Sequence, residues 1–413
     1  MRIGIVTTWF ERGAGYVSRQ YRDVLQKEHQ VFIYARGGEK YAIGDKKWDD
    51  KNVTWGKKIP IHMPMTIDLE DFKKWIKKNH IEIVLFNEQQ WWDPVLLCNK
   101  LGIKTGAYVD YYSKETVAFF ALYDFLICNT RRHYGVFSWH KQTAYIPWGT
   151  DVDVFKPQNF NAVKENGFVT FFHSCGVSPE RKGTDLLIKA FDVIHGPAKL
   201  VIHTQTDLKV FYPELKEIIS EMEKSARLVV RTETVPAPGL YYLGDVYVYP
   251  TRLEGIGLTI AEASACGLPL IVPDNGPMNE FVGAQNGTLV KVEKYFERKD
   301  CYYWPQCEVG VDGLAQAMQY YVDNVGRIPE FKKAARDYAE KYLDWQKNAE
   351  PLKNMFNEFI LIPFDENRMI MEQVIEYEVK RSNWRTKIYR KFPFVYLPLS
   401  WFWPLIKRFY RAK

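Results

Sequence analysis

Short apolar runs alternate with amphipathic stretches along most of this 413-residue chain. Arg2–Thr7 reads as a first buried strand and Val31–Tyr34 as a second, with β-branched runs of the same kind at Ile81–Phe86 and Thr105–Val109. Between them, apolar positions recur at helical spacing in Val17–Lys27 and Leu69–Lys78. Strands that are apolar throughout belong inside a parallel sheet covered on both faces, and the intervening helices supply the cover. Pro147 and Pro157 bracket a linker, and a second series follows it. That series runs through the strand Phe168–His173, the helix Asp185–Val193, the strand Lys199–Thr204, the helix Pro213–Lys224 and the strands Leu228–Thr232 and Asp245–Tyr249. The pattern predicts an α/β fold of two Rossmann-like, doubly wound domains facing a cleft, the first over 1–150 and the second over 151–340.

Composition narrows this picture without changing it. A chain of this length is too long for one core, and 46% hydrophobic with 26% charged residues is ordinary for a soluble globular protein. Six scattered cysteines (98, 128, 175, 266, 301 and 307) form no CxxC pair, so neither a zinc site nor a disulfide framework is indicated and reduced thiols are expected. The opening MRIGIVTTWF leads directly into a strand without the regions of a secretory leader, and no run of 18 apolar residues is present. A cytoplasmic setting follows as the expectation.

The richest chemistry lies between Tyr249 and Val282, which reads YPTRLEGIGLTIAEASACGLPLIVPDNGPMNEFV. Pro250 ends a β-rich segment, and Gly255-Ile256-Gly257 allows a tight turn before the helical run Leu258–Cys266. The first amides of that helix, near Gly257, Leu258 and Thr259, have no partner within it, and with the dipole they favour an anion such as a phosphate. Glu254 and Glu262 stand eight residues apart across the turn, too far to share one small group. Two separated acceptors flanking an anion site suit a nucleotide-sugar, with hydroxyls at both ends and a diphosphate between. A capped helix with two surface glutamates is the other reading of the same spacing.

This stretch resembles the signature of the retaining GT-B glycosyltransferases of group 4 (glycosyl transferases group 1): an E-x7-E motif, an A-C-G-x-P strand entry and an acidic residue at Glu280. Ile146–Pro157, IPWGTDVDVFKP, resembles that family's interdomain segment, and Glu180–Phe191, ERKGTDLLIKAF, is similar to one of its helix starts. The matches fall in the family's order. The resemblance implies a GT-B fold whose last helix, Asp344–Phe359 in the segment 341–360, returns to the first domain. It implies that Glu254 holds the donor sugar and Glu262 the ribose, and that the group is transferred with retention.

Further residues take their roles from the same resemblance. Lys182 matches a lysine that neutralises the donor pyrophosphate. An arginine that the family places six residues earlier is absent, Gly176 standing there, and Arg181 is the candidate to supply its charge. A merely solvated basic pair is disfavoured there, because the dipole at a helix start repels cations. Gly13 and Gly15 follow the first strand. They lack the third glycine and the acidic partner of a dinucleotide fingerprint, which argues against a Rossmann oxidoreductase. By resemblance their loop closes over the donor phosphates; an ordinary strand–helix turn is the alternative. Where relatives carry His-Asp, this chain has Val109-Asp110. Asp110 is a candidate acceptor-side partner or base and Glu88 a second acid facing the same side, with helix capping or a loop role open for each. Asp151-Val152-Asp153 sits in the linker, and the eight histidines form no paired cluster, so no obligatory metal and no cofactor beyond the nucleotide-sugar are expected.

The segment 361–413 forms a separate tail. From Val379 to Lys413 there are ten Lys or Arg and no acid, so a chain of net charge +6 carries 6 − 10 = −4 elsewhere. Interleaved Trp, Tyr and Phe match an anionic bilayer interface, where each cation contributes about 1 kcal/mol. Packing against the first domain and single-strand nucleic-acid binding are the competing readings; nucleic acid is not the expected partner. The expectation that results is a cytoplasmic glycosyltransferase, peripheral on the inner face of the membrane through 380–413, moving a sugar from a UDP- or GDP-linked donor to a glycan or lipid-linked acceptor in cell-surface polysaccharide or glycolipid synthesis. A non-catalytic GT-B sugar-binding or scaffold module is the alternative.

Overall fold

A computed structural model describes residues 1–37, 41–59, 65–158, 167–363, 367–382 and 386–388. The chain divides into two compact units. The first comprises Met1–Cys128, Val136–Ala144 and the described residues from Pro351 onward, the second Asn129–Gly135 and Tyr145–Glu350. This departs from the expected boundaries at 150 and 340. Residues 129–135 join the second unit and 341–350 remain in it, so the chain crosses over more than once, which periodicity along a sequence does not register.

Seven strands build the first unit's sheet: β1 Arg2–Thr7, β2 Gln30–Ala35, β3 Val53–Trp55, β4 Ile83–Asn87, β5 Lys104–Tyr108, β6 Phe125–Cys128 and β7 Thr143–Tyr145, in the order β3-β2-β1-β4-β5-β6-β7. The pairs from β3 through to β6 are parallel. Helix Leu69–Lys78 shows how local chemistry starts an element. The Asp68 carboxylate accepts from the amides of Glu70 at 3.1 Å and Asp71 at 3.0 Å, and Phe72, Trp75 and Ile76 form its buried stripe.

The second unit has six parallel strands: β8 Val169–Gly176, β9 Ala198–Thr204, β10 Leu228–Thr232, β11 Val246–Val248, β12 Leu270–Pro273 and β13 Gly287–Val290, ordered β10-β9-β8-β11-β12-β13. One core joins the sheet to helices Thr184–Asp192 and Val311–Asp323 through Leu187, Ile188, Phe191, Leu314 and Met318. Helices Leu258–Ala265 and Ile328–Tyr342 also meet. There Ser264 donates to the Ala335 carbonyl at 3.0 Å, and Ala335 and Ala339 are small enough for close approach. The strand order reverses between β8 and β11, and such a switch point opens a crevice beyond the carboxyl ends of the strands. A hairpin, β14 Val292–Phe296 with β15 Gln306–Val309, follows the sheet; its polar outer positions hide it from a hydrophobicity pattern.

The expected helix Asp344–Phe359 is two helices, Trp345–Asn348 in the second unit and Leu352–Glu358 in the first, parted by Pro351. Phe356 and Phe359 pack on Phe125, with ring centroids 5.2 and 4.1 Å away, which gives the first unit its returning helix. Helix Arg368–Arg381 docks on the same unit through a buried carboxylate. Glu378 accepts from the Trp92 amide at 3.0 Å and from Arg381, whose guanidinium also donates to the Gln90 carbonyl at 2.6 Å. Arg381 is therefore occupied within the protein, and most of the basic tail 380–413 lies outside the described residues. No helix among the described residues is long and apolar enough to cross a membrane.

Candidate functional site

Two segments leaving the switch point in the second unit build the site: 177–183 after β8 and 249–257 after β11. Pro250 and Gly183 bring them together. A Cβ at Gly183 would lie 2.1 Å from the Pro250 carbonyl oxygen, and the Arg252 amide donates to the Arg181 carbonyl at 2.8 Å. Arg252 fastens the far side with a bidentate bond to Asp185, both contacts at 2.8 Å, and a further bond to Glu308.

At the junction stands Glu254, 7% exposed. Its Oε1 accepts from Lys182 Nζ at 2.6 Å, Thr251 Oγ1 at 2.7 Å, Tyr249 Oη at 3.1 Å and Arg181 at 3.2 Å. None of these bonds goes to Oε2. Burial pushes the Glu254 carboxyl up, but Lys182 and then Arg181 outweigh it and hold it down at about 2. Burial takes the Lys182 ammonium down to about 8 against the pull of Glu254, while Glu254 raises Arg181. Lys182 also donates to Tyr249 and sits 4.8 Å above its ring centroid.

Gly257, with φ of 94°, turns the chain into helix Leu258–Ala265 in a conformation that favours glycine. Among the described residues the amides of Leu258 and Thr259 have no backbone partner. Ile256 is buried and Gly255 half-buried. Glu262, half-buried, accepts from Tyr241 Oη at 2.6 Å; burial, offset in part by that bond, pushes its carboxyl up to about 7. Glu254, Gly257, Leu258, Thr259, Arg181 and Lys182 thus come together on one edge, with Glu262 further along the helix.

Sequence reading misses four participants. Tyr249 and Thr251 flank Pro250 inside the motif, and Tyr241 precedes it. The fourth, His133, comes from the crossover segment and is fully buried, its Nε2 2.9 Å from the Gly255 carbonyl. Burial lowers its pKa to about 4, so the ring is neutral there. Glu280 has a different task from a ligand-facing acid. Its two oxygens accept from the amides of Arg131 at 2.6 Å and Arg132 at 3.0 Å, capping helix Arg131–Phe137. Replacing Glu280 with Ala should therefore cost about 1–2 kcal/mol, read as a lowered Tm in thermal unfolding. An unchanged Tm would show that the cap is idle.

The other sequence candidates lie in the first unit. Gly13 opens helix Gly13–Leu25, and a Cβ at Gly15 would come 2.3 Å from the Phe10 carbonyl oxygen, so Gly15 packs against its own loop. Asp110 and Glu88 meet beyond β5 and β4. Burial and then Glu88 raise the Asp110 carboxyl well above the usual range, with the Tyr111 amide and Arg36 opposing. Asp151 accepts from the amides of Asp153 and Val154 at 3.0 and 3.1 Å, a turn-forming role. No cluster of three potential metal ligands occurs among the described residues.

Fold and site together define a two-domain, Rossmann-like α/β protein with a polar pocket edge at the switch point of its second domain. Residues 169–298 match the family model described as glycosyl transferases group 1. The chain is 25% identical over 244 residues to the GDP-mannose-dependent monoacylated alpha-(1-6)-phosphatidylinositol monomannoside mannosyltransferase of Corynebacterium glutamicum, spanning 54% of this chain and 58% of that protein. It is 38% identical over 72 residues to the lipopolysaccharide core biosynthesis mannosyltransferase LpsB of Rhizobium meliloti, 17% of this chain and 20% of that one. Matches to these curated relatives thus span little more than half of the first and a fifth of the second. Among solved structures, Anabaena Alr3699/HepE in complex with UDP and glucose superposes with a TM-score of 0.66 at 16% identity, covering 87% of this chain and 100% of that one. The two parallel-sheet domains have the GT-B fold, and residues 169–298 resemble the glycosyl transferases of group 1.

Proposed function

We propose that this protein transfers a sugar, with retention, from a nucleotide-diphosphate sugar to a hydroxyl of a glycan or lipid-linked acceptor. The observation that carries the reading is the convergence of Lys182, Arg181 and the head of helix Leu258–Ala265 around the ionised Glu254. In the proposed step the bond from the anomeric carbon to the diphosphate oxygen breaks and its electron pair leaves with the diphosphate. Lys182, Arg181 and the amides of Leu258 and Thr259 offset that growing negative charge. The acceptor oxygen forms the new bond on the same face of the sugar, and its proton passes to the departing diphosphate. Glu254, held ionised by its partners, leaves Oε2 to accept from the donor-sugar hydroxyls, while Glu262 takes the ribose hydroxyls. No resident metal is required in this scheme, since the cationic side chains carry its electrostatics.

The relatives favour a hexose donor: two are named as mannosyltransferases, one of them GDP-mannose-dependent, and Alr3699/HepE is described with UDP and glucose. Both guanine and uracil nucleotides belong in the test. Isothermal titration of UDP and GDP should find one that binds, and Glu262→Ala should weaken it at least about tenfold, near 1.4 kcal/mol. Equal affinity in wild type and variant would remove Glu262 from the donor site. The relatives' names, which refer to a phosphatidylinositol mannoside and to lipopolysaccharide core, support assembly of a glycolipid or cell-surface polysaccharide; contact with the inner face of the membrane would fall to the basic segment 380–413 apart from Arg381, which is bound within the protein.

A further inference from the structure

Three buried tyrosines stand beneath the E-x7-E pair, one under each carboxylate and one between. Tyr241 Oη donates to Glu262 at 2.6 Å and Tyr249 Oη to Glu254 at 3.1 Å. Tyr247 joins them, its ring centroid 5.8 Å from Tyr241 at 68° and 5.3 Å from Tyr249 at 23°. All three are at most 5% exposed. Phe172 braces Tyr241 and Tyr247 from β8, at 5.6 and 6.0 Å, and His173 stands 5.9 Å from Tyr249. Rings packed in this way hold their rotamers, so the two hydroxyls are fixed points from which the carboxylates hang.

We infer that Tyr241 and Tyr249 are positioning residues for Glu262 and Glu254, coupled through Tyr247 into one rigid ladder that sets the separation of the two acceptors and so the length of donor they grip. This rests on the donor reading above. Tyr249 does double duty, since Lys182 lies over its ring and bonds its hydroxyl, so the same rung spaces the carboxylate and the ammonium. Nothing in an E-x7-E motif calls for the three tyrosines; they come from the turn Tyr241–Leu243, from β11 and from the residue after β11.

Burial makes Glu262 responsive to pH, and the ladder works against that shift. Facing it are Tyr241 from the turn, Tyr247 from β11, and Cys266 at the end of its own helix. Arg336, from helix Ile328–Tyr342, acts on Cys266 and reaches the Ala265 carbonyl at 2.8 Å. Burial raises Glu262 and the Tyr241 hydroxyl opposes it. Losing that hydroxyl must raise the carboxyl further, so that it ionises only at higher pH.

The test is Tyr241→Phe, which keeps the ring, in the full chain. The Glu262 carboxyl is followed by carbon-13 NMR, assigned by difference from Glu262→Gln. The wild-type midpoint is expected near neutrality, and Tyr241→Phe should move it up by about one pH unit, tenfold in proton affinity. The pH profile of UDP or GDP affinity should move with it, whereas a merely structural loss would lower affinity equally at every pH. An unmoved Glu262 midpoint in Tyr241→Phe overturns the ladder even if nucleotide binds normally. A wild-type chain that binds neither nucleotide overturns the donor reading, and with it the ladder's purpose, although the carboxyl still titrates as described. Should Tyr241→Phe fail to fold, the wild-type chain still decides: the Tyr241 ring carbon that bears the hydroxyl, followed by carbon-13 NMR, must shift as Glu262 titrates, and a signal indifferent to that titration overturns the ladder.

Discussion

Replacing Lys182 with Met is expected to lower donor turnover by about 100- to 1,000-fold while leaving the protein as stable as before, or more so. The activity loss follows from removing the ammonium that stands 2.6 Å from Glu254. The stability claim follows from the signs. Glu254, depressed to about 2 from 4.5, contributes stability that is complete above pH 4.5 and lost as pH falls towards 2. Lys182, depressed to about 8 from 10.5, works the other way. Its charged form is disfavoured in the folded state, at roughly 3 kcal/mol throughout the range below pH 8, and this cost disappears as pH rises from 8 to 10.5. Met keeps the packing of the lysine stem without the charge, and Glu254 is not orphaned, since Arg181, Tyr249 and Thr251 still donate to it. A buried ion pair that stabilises little is retained for what it does. Thermal unfolding of wild type and Lys182→Met at pH 7 and pH 9.5 checks this: the variant's advantage should shrink at the higher pH, where the wild-type ammonium is neutral. Wild-type turnover should decline through pH 8 without loss of fold. A variant that melts well below wild type at pH 7, or retains a tenth of its turnover, would contradict the argument.

Much of this site is legible in the sequence because its signals are local. Pro250, the glycines at 255 and 257, and the apolar run from Leu258 fix a strand exit, a turn and a helix within a few residues of one another, and the structure has all three. Lys182 and Arg181 are legible through their place at a helix start, where an uncompensated cation is costly. The partners of Glu254 are less so. Tyr249 and Thr251 are near neighbours, yet side chains in an irregular turn follow no period, and spacing says nothing of which way they point. His133 and Glu280 lie beyond any local signal. One reaches the Gly255 carbonyl from 122 positions away, and the other caps a helix 149 positions away, because the chain crosses between units at 129–135. The fold divides the same way. Apolar runs announce β1, β2, β4, β5, β8 and β9, whereas β3, with every residue half-buried, and β14, with three of its five residues exposed, carry no such mark. Asp344–Phe359 reads as one helix because its apolar spacing continues across Pro351, where the backbone does not.

Gly183→Ala should be among the most damaging single changes in the second unit, despite adding only a methyl group. Gly183 has φ of 68°, a left-handed conformation that costs a residue with a Cβ about 1–2 kcal/mol. The added carbon would also lie 2.1 Å from the Pro250 oxygen and 2.9 Å from its carbonyl carbon. Both are backbone atoms, so no rotamer relieves the overlap; the two segments must separate, at a further 1–3 kcal/mol or so. The sum, about 2–5 kcal/mol, corresponds to a fall in Tm of about 5–15 °C for a domain of this size. The function should suffer more than the stability. Gly183 follows Lys182 directly and Pro250 leads to Glu254, so parting them lengthens the contact on which the proposed donor site depends. A displacement near 1 Å is worth about 100-fold in rate. Gly326→Ala is the control: a Cβ there meets nothing within 4 Å, and its Tm should match wild type. Turnover measured well below the Tm of Gly183→Ala separates the two effects. If the variant keeps wild-type turnover there, the close approach of Gly183 to Pro250 serves the fold alone and does not set the register between Lys182 and Glu254.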